Sequence, residues 1–263
     1  MLSKVRGVVI RTTDYGEGNK IVVLYTEEAG KLAVMARGAK KARSRLAAVT
    51  QLFTLGEFVF YRRSGMGTLN SGEIERSRAS LRSDIEKTAY AAYAAELVDR
   101  LVEDGEASPA LFRQLNAALD LIEAGKDAEI VTLIFEMKML KLAGYAPVLT
   151  CCAHCGKEDK TKLVWWSPFH GGALCDSCHN LAPYAVPLQP TSLKLLLLFQ
   201  DLDLARVGKI DVSEQNRNRV KALIRSFADE HFPFVPKSRR FLEQMERYFP
   251  DSIIKTFDEG EST

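Results

Sequence analysis

Cys152-Ala153-His154-Cys155-Gly156 and Cys175-Asp176-Ser177-Cys178 are the stretches that decide how the rest of this 263-residue chain is read. They form two C-x-x-C pairs separated by 19 residues, within the spacing of four-cysteine zinc sites. A two-residue gap lets the backbone turn back, so that both sulfurs of a pair reach one metal at about 2.3 Å in tetrahedral geometry. Gly156 permits the tight backbone that follows the first pair. Between the pairs, Leu163-Val164-Trp165-Trp166 and Gly172-Ala173-Leu174 read as two short strands joined by Ser167-Pro168-Phe169-His170-Gly171, the layout of a zinc ribbon. One structural zinc ion per chain is therefore expected on Cys152, Cys155, Cys175 and Cys178. Cys151 is then the spare thiol, and Cys151/Cys155 is the alternative pairing. All five cysteines fall between positions 151 and 178, and that clustering favours metal over a disulfide framework.

Other chemistries fit the cysteines less well. Cys175 to His179 matches C-x-x-C-H, the haem-attachment pattern, but that would leave the first pair unexplained. A thioredoxin-like pair belongs near a βαβ unit, and none is visible. Catalytic zinc keeps an open position, whereas four thiolates close the shell. The deaminase pattern needs H-x-E, which none of His154, His170, His179 or His231 begins.

Helical patterns lie on both sides of the cysteine segment, so it reads as an insertion at about 148–185 within one helical unit, 81–263. Upstream, Ser83-Asp84-Ile85-Glu86 reads as a capping box, followed on one face by Ile85, Ala89, Tyr93, Leu97 and Leu101 up to Gly105. Ser108-Pro109 opens a second helix that Gly125 ends. A third, Asp127 to Ala143, is apolar on most sides, as a helix central to a bundle would be. Downstream, helices are expected over Thr191–Gln200, Ser213–His231 and Ser238–Phe249, before a polar, frayed end.

Residues 1–80 follow a different period. Val5–Thr12, Lys20–Tyr25, Lys31–Arg37, Phe53–Tyr61 and Leu69–Arg78 are β-rich runs separated by turn residues, and five short strands in so few residues suit a small closed barrel. An OB-fold and an SH3-like barrel both fit that pattern. The fold expected is thus α+β: a five-stranded N-terminal barrel, then an α-helical domain with an inserted four-cysteine zinc ribbon.

Charge separates the same two parts. Residues 1–80 hold 14 Lys+Arg against 7 Asp+Glu, a net of +7, and the remainder holds 22 against 27, a net of −5. A positive unit on a mildly acidic body points to a polyanion partner. Arg37, Lys40, Lys41, Arg43 and Arg45 place five cations in nine residues after the third strand. Arg62 and Arg63 add two more at a strand end, as do Arg76, Arg78 and Arg82. An OB-type groove pairs such cations with phosphates and stacks bases on aromatic rings, here Tyr15, Tyr25, Phe58, Phe60 or Tyr61, unless those rings are barrel core. A second cluster, Lys237-Ser238-Arg239-Arg240, sets cations against a helix dipole, either for an anionic partner or as a plain surface helix start. Gly38-Ala39-Lys40-Lys41 lacks the spaced glycines and Ser/Thr of a P-loop, and no catalytic constellation emerges, so no enzyme is expected. The opening Met1 to Gly7 has no apolar leader and no run approaches membrane length. A cytoplasmic, nucleoid-associated protein with no membrane partner is expected.

The order of these parts, with Val8-Val9-Ile10-Arg11-Thr12, Gly30-Lys31-Leu32, Arg37-Gly38-Ala39-Lys40 and the closing Lys237-Ser238-Arg239-Arg240-Phe241-Leu242, resembles the RecO family of bacterial DNA-repair proteins over essentially the whole chain. The resemblance implies an OB-fold followed by a zinc-bearing helical domain. It implies binding of single- and double-stranded DNA, annealing of complementary strands, and work with RecR and the single-strand-binding protein to load the RecA recombinase. Some members lack the cysteines, so metal is not central to the shared activity. The competing expectation is a zinc-ribbon protein that binds RNA or a component of transcription or translation.

Overall fold

The computed structural model describes residues 2–63, 65–182, 184–208 and 210–248. Five strands, β1 (Leu2–Tyr15), β2 (Asn19–Thr26), β3 (Gly30–Ala36), β4 (Leu55–Tyr61) and β5 (Gly67–Arg76), close into a barrel of order β1-β2-β3-β5-β4. β1 makes closure possible by serving two neighbours. Its first half pairs with β4 (Leu2↔Tyr61 to Val8↔Leu55) and its second half with β2, down to Tyr15↔Asn19. The register slips between Val9 and Arg11, and such a bulge bends a strand around a barrel. β3 and β5 run parallel where they meet, at Val34↔Gly67 and Met35↔Thr68. This closed five-strand order is the OB-fold, which decides against the SH3-like alternative.

β1 from Val8 to Ile10 and β2 from Ile21 to Tyr25 are unbroken apolar runs because both faces of the sheet are covered there. Val9, Val22, Leu24, Val34, Phe58 and Phe60 fill the barrel, while Val8, Ile10, Val23, Tyr25 and Leu55 face outward into the core shared with the helices. The joint is also polar. Lys31 Nζ donates to the Asp99 carbonyl at 2.7 Å, Arg11 pairs with Asp99 at 2.8 Å, and Gly105 N–H donates to the Lys31 carbonyl at 2.8 Å. Gly30 sits here with φ 63, and a Cβ on it would lie 2.2 Å from the Glu106 carbonyl oxygen, so no other residue fits.

The helices are α1 (Ala79–Ser83), α2 (Ile85–Leu101), α3 (Pro109–Glu123), α4 (Ala128–Leu142), α5 (Pro190–Asp201), α6 (Glu214–His231) and α7 (Lys237–Tyr248). Ser108 and Asp127 cap α3 and α4 through the N–H groups of Leu111 (3.2 Å) and Ile130 (3.1 Å). The expected capping box at Ser83 is corrected. Ser83 ends α1, and Asp84 caps α2 by accepting from Lys87 N–H at 3.0 Å. Ile85 does not join the buried face and stands 68% exposed, while Ala89, Tyr93 and Leu97 are buried. α4 is enclosed on nearly every side, as its pattern predicts. The expected end of the last helix at Phe249 and the polar terminus lie outside the described residues.

The ribbon consists of β6 (Leu163–Ser167), β7 (Gly172–Cys175) and a two-residue strand β8 (Val186–Pro187), in the order β7-β6-β8. It attaches to α6. Trp166 is fully buried against Phe227 and donates Nε1–H to Ser226 Oγ at 3.4 Å, and His231 donates Nε2–H to the Pro168 carbonyl at 3.2 Å. Among the described residues no helix is long and apolar enough to cross a membrane.

Candidate metal centre and nucleic-acid interface

The ribbon fold brings the two C-x-x-C pairs together. The first turn closes with Gly156 N–H on the Cys152 carbonyl at 2.9 Å, Gly156 having φ 72. The second pair leaves β7 at Cys175 and enters a 3-10 turn, Asp176–Leu181. Cys152, Cys155, Cys175 and Cys178 place their sulfurs within 4.8 Å of one another, with Cys155 Sγ 3.8 Å from Cys175 Sγ. Four sulfurs at about 2.3 Å from a shared centre stand about 3.8 Å apart, so the set has the dimensions of a tetrahedral metal site. Cys175 N–H points at Cys152 Sγ (3.4 Å), a bond that favours the thiolate. Burial pushes the Cys152 thiol up, but the N–H groups of Cys155, Cys175 and His154 outweigh it and bring it down to about 6. Cys178 is pushed up to about 12 by its contacts with Cys175 and by burial. Taken by themselves the four sulfurs thus resist a full complement of negative charge, which a divalent cation at their centre would relieve. Cys151 stands outside the cluster, half-buried.

His179 takes no part in the sulfur set. Its ring stacks on Trp165 with centroids 4.3 Å apart and Nδ1–H donates to the Asp176 carbonyl at 2.7 Å, while Trp165 Nε1–H donates to Asp176 Oδ1 at 3.1 Å. Asp176, between Cys175 and Cys178, therefore orders the second turn. The sequence carried no signal for this role, because Asp176 and Trp165 meet only through the hairpin.

Arg37, Lys40, Lys41, Arg43 and Arg45 are all exposed on the β3–β4 connection. That segment is held by inward Ala39 and Val49 and by bonds to the β1–β2 turn: Gly38 N–H to Asn19 Oδ1 at 2.9 Å and Lys40 N–H to the Gly18 carbonyl at 3.1 Å. Lys40 Nζ is engaged by Asp14 Oδ2 at 2.7 Å. Arg62 and Arg63 are exposed on the β4–β5 turn, with Arg62 Nε–H donating to the Gly65 carbonyl at 2.7 Å. The pairings Lys20↔Ala36 and Val34↔Gly67 put the β1–β2 turn and the start of β5 beside the end of β3 from which the basic segment leaves. Of the five aromatics, Tyr25, Phe58 and Phe60 are core, whereas Tyr15 and Tyr61 are 55% and 53% exposed.

The other strand-end arginines are engaged by the protein's own groups. The Arg78 guanidinium, fully buried, donates to the Phe53 carbonyl, Asn116 Oδ1 and Asp120; Arg82 donates to the Leu52 and Ser77 carbonyls; and Arg76 pairs with Asp120 at 2.9 Å. These three bolt the barrel to α1 and α3. At Lys237–Arg240 the charge opposing the α7 dipole is answered from within. Glu96 accepts the N–H groups of Lys237 (3.0 Å) and Ser238 (2.8 Å), and Arg239 is buried against Asp229 and Glu243.

A basic OB barrel joined to a helical body that carries a four-cysteine cluster defines a two-part class of protein. Family profiles described as Recombination protein O N terminal and Recombination protein O C terminal match residues 1–78 and 82–240. The chain is 44% identical to the DNA repair protein RecO of Bacillus subtilis (strain 168) over 246 residues, 94% of this chain and 96% of that one. It is 41% identical to the DNA repair protein RecO of Bacillus velezensis over 262 residues, covering both chains in full. The chain belongs to the RecO family.

Proposed function

We propose that this protein is a non-enzymatic mediator of recombinational DNA repair. It binds single- and double-stranded DNA through the basic end of the barrel, anneals complementary strands, and works with RecR and the single-strand-binding protein in loading RecA. The observation that carries the reading is the set of exposed cations on a segment folded across the β1–β2 turn. Arg37, Lys41, Arg43 and Arg45, with Arg62 and Arg63, neutralise phosphates without reading sequence, and Tyr15 and Tyr61 offer faces on which unpaired bases stack. Annealing is slowed by repulsion between two polyanions. A basic surface that holds strands loosely lowers that barrier with no nucleotide consumed. The metal is zinc, held by Cys152, Cys155, Cys175 and Cys178, and its role is to fold the ribbon. The protein acts in the cytoplasm, at the nucleoid.

Annealing of complementary oligonucleotides, bare and coated with single-strand-binding protein, with and without ATP, tests the reading. Acceleration independent of ATP is expected. Strict ATP dependence of the purified chain would overturn it, as would no annealing combined with tighter binding to structured RNA.

A further inference from the structure

The helical unit has a cleft of about 760 Å³ between the first turn of α2, the α3–α4 turn, α6 and the end of α7. Its cations are largely engaged. Arg217 bridges Asp127 (2.5 Å) and Glu129 (3.7 Å), Lys221 bridges Glu129 (2.5 Å) and Glu246 (3.0 Å), and Lys87 Nζ donates to the Glu123 carbonyl at 3.2 Å. Glu86 and Tyr90 are different. Both line the cleft from successive turns of α2, and neither has a hydrogen-bond or ion-pair partner among the described residues. Tyr90 is 3% exposed. Burial and the carboxylates of Glu129, Glu246 and Glu86 hold its phenol well above the ordinary range. Burial, then Asp84, Asp127 and Glu129, raise the Glu86 carboxyl. A carboxylate facing like charges and, beside it, a hydroxyl that opens on the cleft with no protein partner are both served by an incoming cation that also hydrogen-bonds.

The form of the cation follows from how the oxygens are placed. The one group of potential metal ligands close enough to share an ion, among the described residues, is the cysteine set, so these carboxylates do not converge on a point charge. Acceptors spread around a cleft suit a planar guanidinium, whose five N–H donors fan outward. The space exceeds one side chain and matches a short peptide segment. We propose that this cleft binds an arginine side chain presented by a peptide segment of a partner protein, with Glu86 as its ion-pair partner and the Tyr90 hydroxyl as a hydrogen-bonding group.

The probe is a capped Ala-Arg-Ala peptide against its citrulline counterpart, which has nearly the same shape and no charge. Each is titrated into the full-length protein while the Tyr90 ring resonances are followed. The arginine peptide is expected to bind at least fivefold more tightly. Glu86→Gln should abolish that preference and Tyr90→Phe, which keeps the packed ring, should weaken it, both variants melting as the parent does. If Glu86→Gln fails to fold, Tyr90→Phe carries the test. Equal binding of the two peptides, or a preference that survives these substitutions, would overturn the proposal. So would tighter binding of a glutamate peptide, since that would assign the cleft to Lys126, Arg217 and Lys221 instead.

Discussion

Arg37 and Arg78 both read from sequence as cations at strand ends, yet they face opposite ways. Arg37 is exposed, while Arg78 is fully buried in a left-handed backbone conformation (φ 45), its guanidinium tied to Phe53, Asn116 and Asp120. Nothing local distinguishes them, because the partners of Arg78 lie far along the chain, Phe53 25 positions before it and Asn116 and Asp120 on α3, 38 and 42 positions after it. Removing one member of a buried charged pair costs about 3–5 kcal/mol, and Asp120 keeps Arg76 and some solvent, so Arg78→Ala should cost about 3 kcal/mol. Arg37→Ala should stay within about 0.5 kcal/mol. Urea unfolding of the two variants checks this, and similar midpoints would refute the inward assignment. Glu96 gives a pH-dependent counterpart. Burial raises its carboxyl, but the hydroxyl and N–H of Ser238 and the N–H of Lys237 outweigh burial and leave it below the ordinary carboxylate range. With the folded value depressed, its contribution is present above the unfolded value and is lost as pH falls through the folded one. Protection against hydrogen exchange in the first turn of α7, taken relative to the intrinsic rate at each pH, should therefore fall in acid below the ordinary carboxylate range, and Glu96→Gln should show that low protection at neutral pH. An α7 indifferent to that substitution would argue against Glu96 as its cap.

At the scale of elements, legibility followed the range of the interactions that form each one. The five strands show in short local runs of β-forming residues between turns, and the cap at Ser108 and the cysteine hairpin rest on neighbours a few residues apart, so their patterns were readable in the sequence. α1 was not, because its five residues depend on Arg78 and on Thr88 Oγ1–H reaching the Leu81 carbonyl at 2.5 Å. With α1 unseen, the cap of α2 fell one residue early, on Ser83. β8 escaped for the same reason: two residues become a strand only where Trp165 and Trp166 pair with them. The clustering of Cys152, Cys155, Cys175 and Cys178, by contrast, was legible, since each C-x-x-C is local and the hairpin between them is short. A structural four-thiolate zinc site is worth about 10 kcal/mol of folding free energy. Protein purified without chelator should contain one zinc per chain. Cys155→Ser or Cys178→Ser should lose the metal and expose Trp166, seen as a red shift in its fluorescence, while Cys151→Ser should retain both. Metal analysis finding no zinc would refute this identity of the ion, and loss of metal in Cys151→Ser would refute the ligand set.

Across the whole molecule, the barrel and the ribbon are fastened to different parts of the helical body. Barrel residues Arg11, Tyr25, Lys31 and Arg78 bond to α2, to the α2–α3 connection and to α3, whereas the ribbon leans on α6 through Trp166 and on His231 through Pro168. The cations proposed to meet DNA lie on the β3–β4 and β4–β5 connections of the barrel, the first of them bonded to the β1–β2 turn. Two separable defects follow. Arg37, Lys41 and Arg43 changed together to Ala should weaken DNA binding uniformly across sequences. The log–log salt dependence for single strands should become shallower by about 2 units, because each phosphate contact contributes about 0.7. Stability should hardly change, since all three side chains are exposed and Lys40, which carries the bond to Asp14, is left in place. Cys155→Ser should do the reverse, lowering the melting temperature while leaving the salt slope as it was. Fluorescence anisotropy of a labelled single strand across a salt series, run beside thermal melts of both variants, reads the two effects independently. An unchanged slope in the triple variant would move the DNA-binding face off this end of the barrel. A slope that fell in Cys155→Ser would show that the metal-bearing ribbon itself touches the nucleic acid.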